Sequence, residues 1–230
     1  MQKIMTLLSD FTRAVDKWET IGKIPLPTIN KAVTSGKLSA QTWEKAYLDV
    51  TEELKQAKKL NIKILNYLDT AYPQQLLKLK HFPVLVYAKG NIKLLNAPKR
   101  VAIVGTRTPS TAAIDTEIQI TKQISQLGYV VISGLAKGCD TYAHRFAKET
   151  IAVLAHGLDQ STYPAQNATL AARILEQGGT LFSTYPLGTK LKPAYLAARD
   201  EWESGLSDGV IVVETGATGG TQITIDFARK

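Results

Sequence analysis

The chain has 230 residues, with 28 Lys and Arg against 20 Asp and Glu, a formal charge of +8. At 44% hydrophobic and 21% charged residues, it has the composition of one large folded domain, or of one domain plus a small one, and wholesale disorder is excluded. The single cysteine, Cys139, excludes a disulfide framework and a multi-cysteine metal centre and fits a reducing, cytoplasmic compartment.

Residues 1–60 read as a small helical domain. Pro25 and Pro27 mark a turn or a helix start. Thr42–Leu60 spaces Trp43, Ala46, Tyr47, Val50, Leu54 and Ala57 three and four apart, which gives one apolar stripe with charge opposite. Ser39 stands where an N-cap would. The charges that interrupt MQKIMTLLSDFTRAVDKWE argue against a signal peptide. No apolar run reaches the ~18 residues of a membrane span.

Residues 61–100 read as a connector that joins the sheet: a short strand over IKIL, a turn and short helix over LDTAYPQQLLKL, and a strand over PVLVYAKGN that ends in a Gly-Asn turn. From residue 101 the pattern changes. VAIVG (101–105), YVVISG (129–134), TIAVLAHG (150–157), TLFSTYP (180–186) and GVIVVETG (209–216) are apolar runs separated by helical stretches. Runs without period-two alternation are buried on both faces, so residues 101–230 are expected to form a doubly wound, mainly parallel α/β sheet. The helix TYAHRFAKE runs into TIAVL without an αβ connection, and the chain stops within a helical stretch at Ala228-Arg229-Lys230. Residues near Glu149, and C-terminal strands after Lys230, are therefore expected to be missing.

In such sheets ligands bind beyond the carboxyl ends of the strands. Those ends carry Gly105-Thr106-Arg107, Gly134 to Asp140 with Lys137 and Gly138, His156 to Asp159 with Asn167 shortly after, Tyr185 to Gly188, and Thr215 to Thr221. Glycine admits close backbone approach, and each following helix offers unpaired N–H groups, so the set describes a phosphate site. GTRTPS is not a G-x-G-x-x-G loop, and there is neither a P-loop nor a G-x-S-x-G elbow. His81, His144 and His156 lack metal-ligand spacing, and neither a metal nor a cofactor is expected. His144 reads as structural, and Cys139 as a small buried residue at a helix start. The charge is uneven: residues 1–100 carry net +9 and residues 101–230 net −1.

The segments VAIVGTR, VISGLAKGCDTYAH, IAVLAHGLDQSTYPAQN, STYPLGT, GLSDGVIVVE and TGGTQIT, with the lead-in DTAYPQQL and PVLVYAKGN, resemble the DprA/Smf family of bacterial DNA-processing proteins over about residues 61–230. The resemblance implies an extended Rossmann-like fold and no enzymatic activity. It also implies a homodimer that binds single-stranded DNA, protects it, and helps load the RecA recombinase in natural transformation. It places the DNA backbone against Gly105, Thr106, Arg107, Gly134, Lys137, Gly138, Asn167, Arg199, Gly220 and Thr221, with little base specificity. Where the family carries an Arg-Asn-Arg-like segment, this chain has Arg199-Asp200-Glu201-Trp202-Glu203, so carboxylates either alter the pocket or face away. The family's second glycine before the third loop is replaced in Val153-Leu154-Ala155-His156.

Two other readings compete. The loop at Gly219-Gly220, with Asp226 downstream, partly matches the P-G-G-x-G-T-x-x-E loop of lonely-guy-type nucleotide phosphoribohydrolases. Gln222 and Ile223 replace its Gly and Thr, and Asp226 reads as a surface helix residue. The third reading is a nucleotide-sensing Rossmann module.

Overall fold

The structure, a computed structural model, describes residues 40–80, 82–216 and 220–228. Pro25, Pro27, Ser39 and His81 lie outside the described residues. Helix α1 covers Ala40–Lys59, close to the predicted Thr42–Leu60. Its later half packs on the sheet through Ala57, buried at the far side of the stripe, and Glu53, whose Oε1 accepts hydrogen bonds from Tyr87 Oη and the Leu187 N–H.

Strands β1 (Ile62–Asn66) and β2 (Leu85–Gly90) follow, separated by a 3-10 turn at Gln74–Lys78. Next come β3 (Arg100–Val104), α2 (Thr111–Gln126), β4 (Val130–Ser133), α3 (Cys139–Phe146), β5 (Thr150–Leu154), α4 (Ala168–Glu176), β6 (Thr180–Ser183), α5 (Pro193–Leu206), β7 (Val210–Val212) and α6 (Gly220–Ala228). The sheet has seven strands in the order β1-β2-β6-β5-β4-β3-β7. The five apolar runs are the parallel strands. Val101 registers with Val131, Ile132 with Ile151, Ala152 with Leu181 and Ile103 with Ile211. β2 adds antiparallel to β6 and β1 antiparallel to β2.

Both faces are covered, as the unbroken apolar runs require. One face packs Ala102, Ile132, Ile151, Val153 and Phe182 against Tyr72, Leu76, Trp202 and Leu206. The other packs Tyr87, Ala152, Leu154 and Leu181 against Leu135, Leu170 and Ile174. Each large apolar side chain so buried contributes about 1.5–3 kcal/mol. Among the described residues no helix is long and apolar enough to cross a membrane.

The junction before TIAVL is bridged by three residues. α3 stops at Phe146, earlier than the sequence pattern suggests, because Ala147 turns to extended backbone (φ −70°, ψ 143°). The Lys148 N–H then bonds to Ser125 Oγ at 3.1 Å, and Thr150 enters β5. No left-handed residue is needed there. α4 does end on one: Gly178 has φ +79°, and the Gly179 N–H returns to the Ile174 carbonyl at 2.8 Å.

The chain proceeds from β3 through β6 in one direction across the sheet, then crosses back on α5 to lay β7 beside β3. The strand order therefore reverses between β3 and β7, and a crevice opens beyond their carboxyl ends.

Candidate nucleic-acid interface

The loop after β3 begins with Gly105. A Cβ there would stand 2.4 Å from Cys139 Sγ, so glycine is what lets α3 start against this loop. The Thr106 N–H donates to the Glu214 carbonyl at 2.8 Å, and the Cys139 N–H donates to the Thr106 carbonyl at 3.1 Å. Glu214 also accepts from the Ser110 N–H at 2.8 Å, and Thr221 Oγ1 donates to the Gly105 carbonyl at 3.1 Å. Three strand-end loops are thus cross-braced, and the braces leave Arg107 exposed beside them.

The loop after β4 is held from within. Asp140, in the first turn of α3, accepts from the Gly134 and Ala136 N–H groups at 3.1 and 3.0 Å. Leu135 adopts φ +60° with its side chain fully buried. Asn167 Nδ2 lies 2.9 Å from the carbonyls of Leu135 and Ala136 and 3.0 Å from Thr141 Oγ1. Gly138 has φ +74°, and a Cβ on it would meet the Thr106 carbonyl at 2.3 Å. Lys137 is left exposed at the tip. The backbone N–H groups of Arg107, Lys137 and Gly138 have no partner among the described residues. Unpaired N–H groups beside two exposed cations are what an anion needs.

These loops enclose a cavity of about 480 Å³ lined by Gly105, Thr106, Arg107, Arg199, Asp200 and Thr221, among others. A second cavity of about 250 Å³ adjoins it, lined by Arg107, Lys137, Tyr163 and Arg199. Of the sequence-predicted residues, Gly105, Thr106, Arg107, Arg199 and Thr221 line the first cavity and Lys137 the second. Gly134 and Gly138 bound the loop, and Asn167 braces it through the Leu135 and Ala136 carbonyls. Gly220 opens α6.

Arg199 is buried and its guanidinium is engaged inside the protein. Nη1 donates to the Gly134 carbonyl at 2.7 Å and Nη2 to Asp200 at 3.2 Å. Nε forms an ion pair with Glu203 at 2.7 Å, without hydrogen-bond alignment. Burial opposes the Arg199 charge, but Glu203, Asp140 and Asp200 outweigh it and raise its pKa. Burial pushes Asp200 up to about 6 against the pull of Arg199, and raises Glu203 as well. Asp200 and Glu203 therefore do not face away: both line the cavity and are matched by the arginine between them.

Cys139 is fully buried, and burial followed by Glu117 raises its thiol to about 12. That matches a packing role. Glu117 is also fully buried beneath the loop, and desolvation lifts it to about 7. His144 Nδ1 lies 2.7 Å from Thr150 Oγ1. The Thr150 hydroxyl donates to the Val131 carbonyl, so His144 donates through Nδ1. Burial holds its pKa at about 4. Among the described residues no group of three His, Cys, Asp or Glu side chains could hold a metal ion. Asp226 is exposed on α6.

Sequence reasoning missed Tyr163 as a site residue. It is 44% exposed beside Arg107 and Lys137. An aromatic next to two cations at a loop end is the available signal, but its exposure becomes visible only once the third loop is folded.

Residues 63–230 match the sequence profile of the family described as DNA recombination-mediator protein A. The chain is 36% identical over 157 residues to the DNA processing protein DprA of Bacillus subtilis, covering 66% of this chain and 52% of that protein. It is 35% identical over 163 residues to protein Smf of Escherichia coli, covering 69% and 43%. The chain spans about half the length of the curated relatives it matches. Its fold is similar to that of DNA processing protein A from Streptococcus pneumoniae, with TM-score 0.72 and 31% identity over 99% of this chain and 78% of that one. It is also similar to DNA processing protein A from Helicobacter pylori, a structure concerned with single-stranded DNA binding, with TM-score 0.66 and 29% identity over 73% and 75% of the two chains.

Proposed function

This chain belongs to the DNA recombination-mediator protein A family, and on that premise we propose that it binds single-stranded DNA along the loops beyond β3, β4 and β7. In this reading the protein is not an enzyme. It protects an incoming strand in the bacterial cytoplasm and, as a homodimer, helps load the RecA recombinase onto it in natural transformation.

One observation carries the DNA reading. The backbone N–H groups of Arg107, Lys137 and Gly138 have no partner among the described residues, and they stand with two exposed cations at the point where the strand order reverses. A phosphate there is met by N–H donors and charge together. Arg107 and Lys137 supply the charge. Gly105, Gly134 and Gly138 let the backbone approach, and Thr106, Gly220 and Thr221 border the phosphate path. Arg199 and Asn167 act as positioning residues, since their polar atoms already hold the Gly134–Gly138 loop. Tyr163 offers a face on which a base stacks. Phosphate contacts and one stacking platform carry no sequence information, so binding is indifferent to base order.

The test is a titration of fluorescent oligo-dT at several salt concentrations, with Arg107→Ala and Lys137→Ala. Affinity should fall steeply with salt as counterions are released, with the slope reduced by about 0.7 for each phosphate that a variant no longer neutralises. An absence of binding at low salt, or variants that bind as the wild type does, would overturn it. Release of adenine from AMP would instead favour the phosphoribohydrolase reading.

A further inference from the structure

The net positive charge of this chain is confined to one stretch. Residues 54–100 carry nine Lys and one Arg against Asp69 alone. Residues 1–53 carry seven charges of each sign, and residues 101–230 carry 11 positive against 12 negative. That stretch builds β1, β2 and their connections, and the topology decides where its lysines go.

β2 runs antiparallel to β6, so its end, Gly90, registers with Thr180 at the start of β6. β1 runs antiparallel to β2, so its start, Ile62, registers with Lys89. These segments therefore lie at the end of the sheet opposite the glycine loops. A groove of about 360 Å³ opens there, lined by Asn61, Lys63, Lys89, Gly90, Ile92 and Leu175. Lys58 and Lys59, in the last turn of α1, are exposed just before it, and Lys93 is exposed just after Ile92. None of these five lysines is in an ion pair with a described residue. Arg173 and Glu176 flank Leu175 and offset each other. By contrast, the cations at the glycine-loop end share their cavity with Asp140, Asp200 and Glu203.

We propose that this groove is a second contact for the strand held by the glycine loops, with the phosphodiester backbone on Lys63 and Lys89 and bases against Ile92 and Leu175. The proposal rests on the single-stranded DNA reading above and adds a surface at the far end of the sheet. Charge complementarity selects a polyanion, and the apolar lining suits unpaired bases. At about 3.3 Å per residue, the five residues of β5 cover about 17 Å from one end of the sheet to the other. A strand of a few tens of nucleotides therefore engages both ends, and a trimer, about 10 Å long at about 3.4 Å per nucleotide, fits one.

The experiment compares a dT trimer with oligo-dT of about 30 nucleotides on the full chain. The variants are Lys63→Glu with Lys89→Glu, the milder Lys63→Gln with Lys89→Gln, and Lys63→Arg with Lys89→Arg, each checked for an unchanged circular dichroism spectrum. The Glu and Gln pairs should weaken long-oligomer binding and leave trimer binding intact, while the Arg pair binds as the wild type does. With two fewer phosphates neutralised, the salt slope drops by about 1.4, so the fall in affinity between 50 and 200 mM salt shrinks about sevenfold. Unchanged affinity and slope for the long oligomer in the Glu and Gln pairs overturns the groove. So does the same substitution abolishing binding of poly-glutamate while sparing DNA, which would assign the surface to an acidic protein. Failure of the glycine-loop reading looks different: Arg107→Ala and Lys137→Ala leave both oligomers bound while the Lys63 and Lys89 pairs release them. Absence of any oligo-dT binding overturns both.

Discussion

Replacing Arg199 by alanine should destabilise the protein far more than replacing Arg107, although both line the same cavity. Arg199 is 8% exposed and is the buried cation paired with Asp200 and Glu203. Its removal strands Asp200 and Glu203, at 5% and 1% exposure, without a partner and leaves the Gly134 carbonyl without its donor. Breaking a buried pair from one side costs about 3–5 kcal/mol. For a chain of this size that is a fall of roughly 6–20 °C in melting temperature. Arg107 is exposed, so Arg107→Ala should stay within about 0.5 kcal/mol of wild type. The pH dependence has a definite sign. Without Arg199, the folded pKa values of Asp200 and Glu203 rise further above their unfolded values, so the folded variant binds more protons than the unfolded chain. Its stability then falls as pH rises, and the deficit relative to wild type is larger at pH 7 than at pH 5. Urea unfolding of both proteins at the two pH values measures this. A deficit under about 1 kcal/mol at pH 7, or one that does not shrink at pH 5, refutes a stabilising role for the buried guanidinium.

Gly138 and Gly128 share a positive φ, +74° and +79°; Gly128→Ala should cost about 1–2 kcal/mol for left-handed backbone, and Gly138→Ala more, because its ψ of −129° lies outside that region and its Cβ would meet the Thr106 carbonyl at 2.3 Å. Only Gly138→Ala should also weaken oligo-dT binding, because its Cβ meets the Thr106 and Arg107 backbone, whereas nothing lies within 4 Å at Gly128; equal affinities would refute this. Tyr163→Ala should cost about 1–3 kcal/mol of oligo-dT affinity and Tyr163→Phe almost none, measured by anisotropy. Glu117, with its pKa lifted from 4.5 to about 7, binds a proton in the folded state that it loses in the unfolded one, so it removes up to about 3 kcal/mol of stability as pH rises from 4.5 to 7. Glu117→Gln should therefore gain on wild type across that window. The difference between the two curves is the readout, because His144, lowered from 6.5 to about 4, drives the opposite trend as pH falls from 6.5 to 4.

The five parallel strands were legible because burial on both faces leaves a signature in sequence: unbroken β-branched runs such as VAIV and TIAVL, each followed by a turn. The glycine loops at the strand ends were legible because glycine is a backbone requirement at Gly105 and Gly138. The placement of β1 and β2 was not, because hydrophobic pattern specifies which face of a strand is buried but not which strand it joins. The role of Arg199 was half visible. Its spacing from Glu203 is that of a helical ion pair, but whether such a pair is solvated or buried depends on what packs over it, here the loop from Gly134. The early end of α3 at Phe146 depended on Ser125, distant in sequence, taking the Lys148 N–H.

Asn167 has a consequence for how the site opens. Its amide nitrogen binds the loop after β4 at two carbonyls and at Thr141, and Thr141 itself closes back on the Ala136 carbonyl. The segment that carries Lys137 therefore cannot fray without also releasing the start of α4. Local opening, usually cheapest in single exposed loops, here also breaks the three hydrogen bonds of the Asn167 amide. A strand bound here as proposed would meet a surface set in advance, where little ordering entropy remains to be lost on binding.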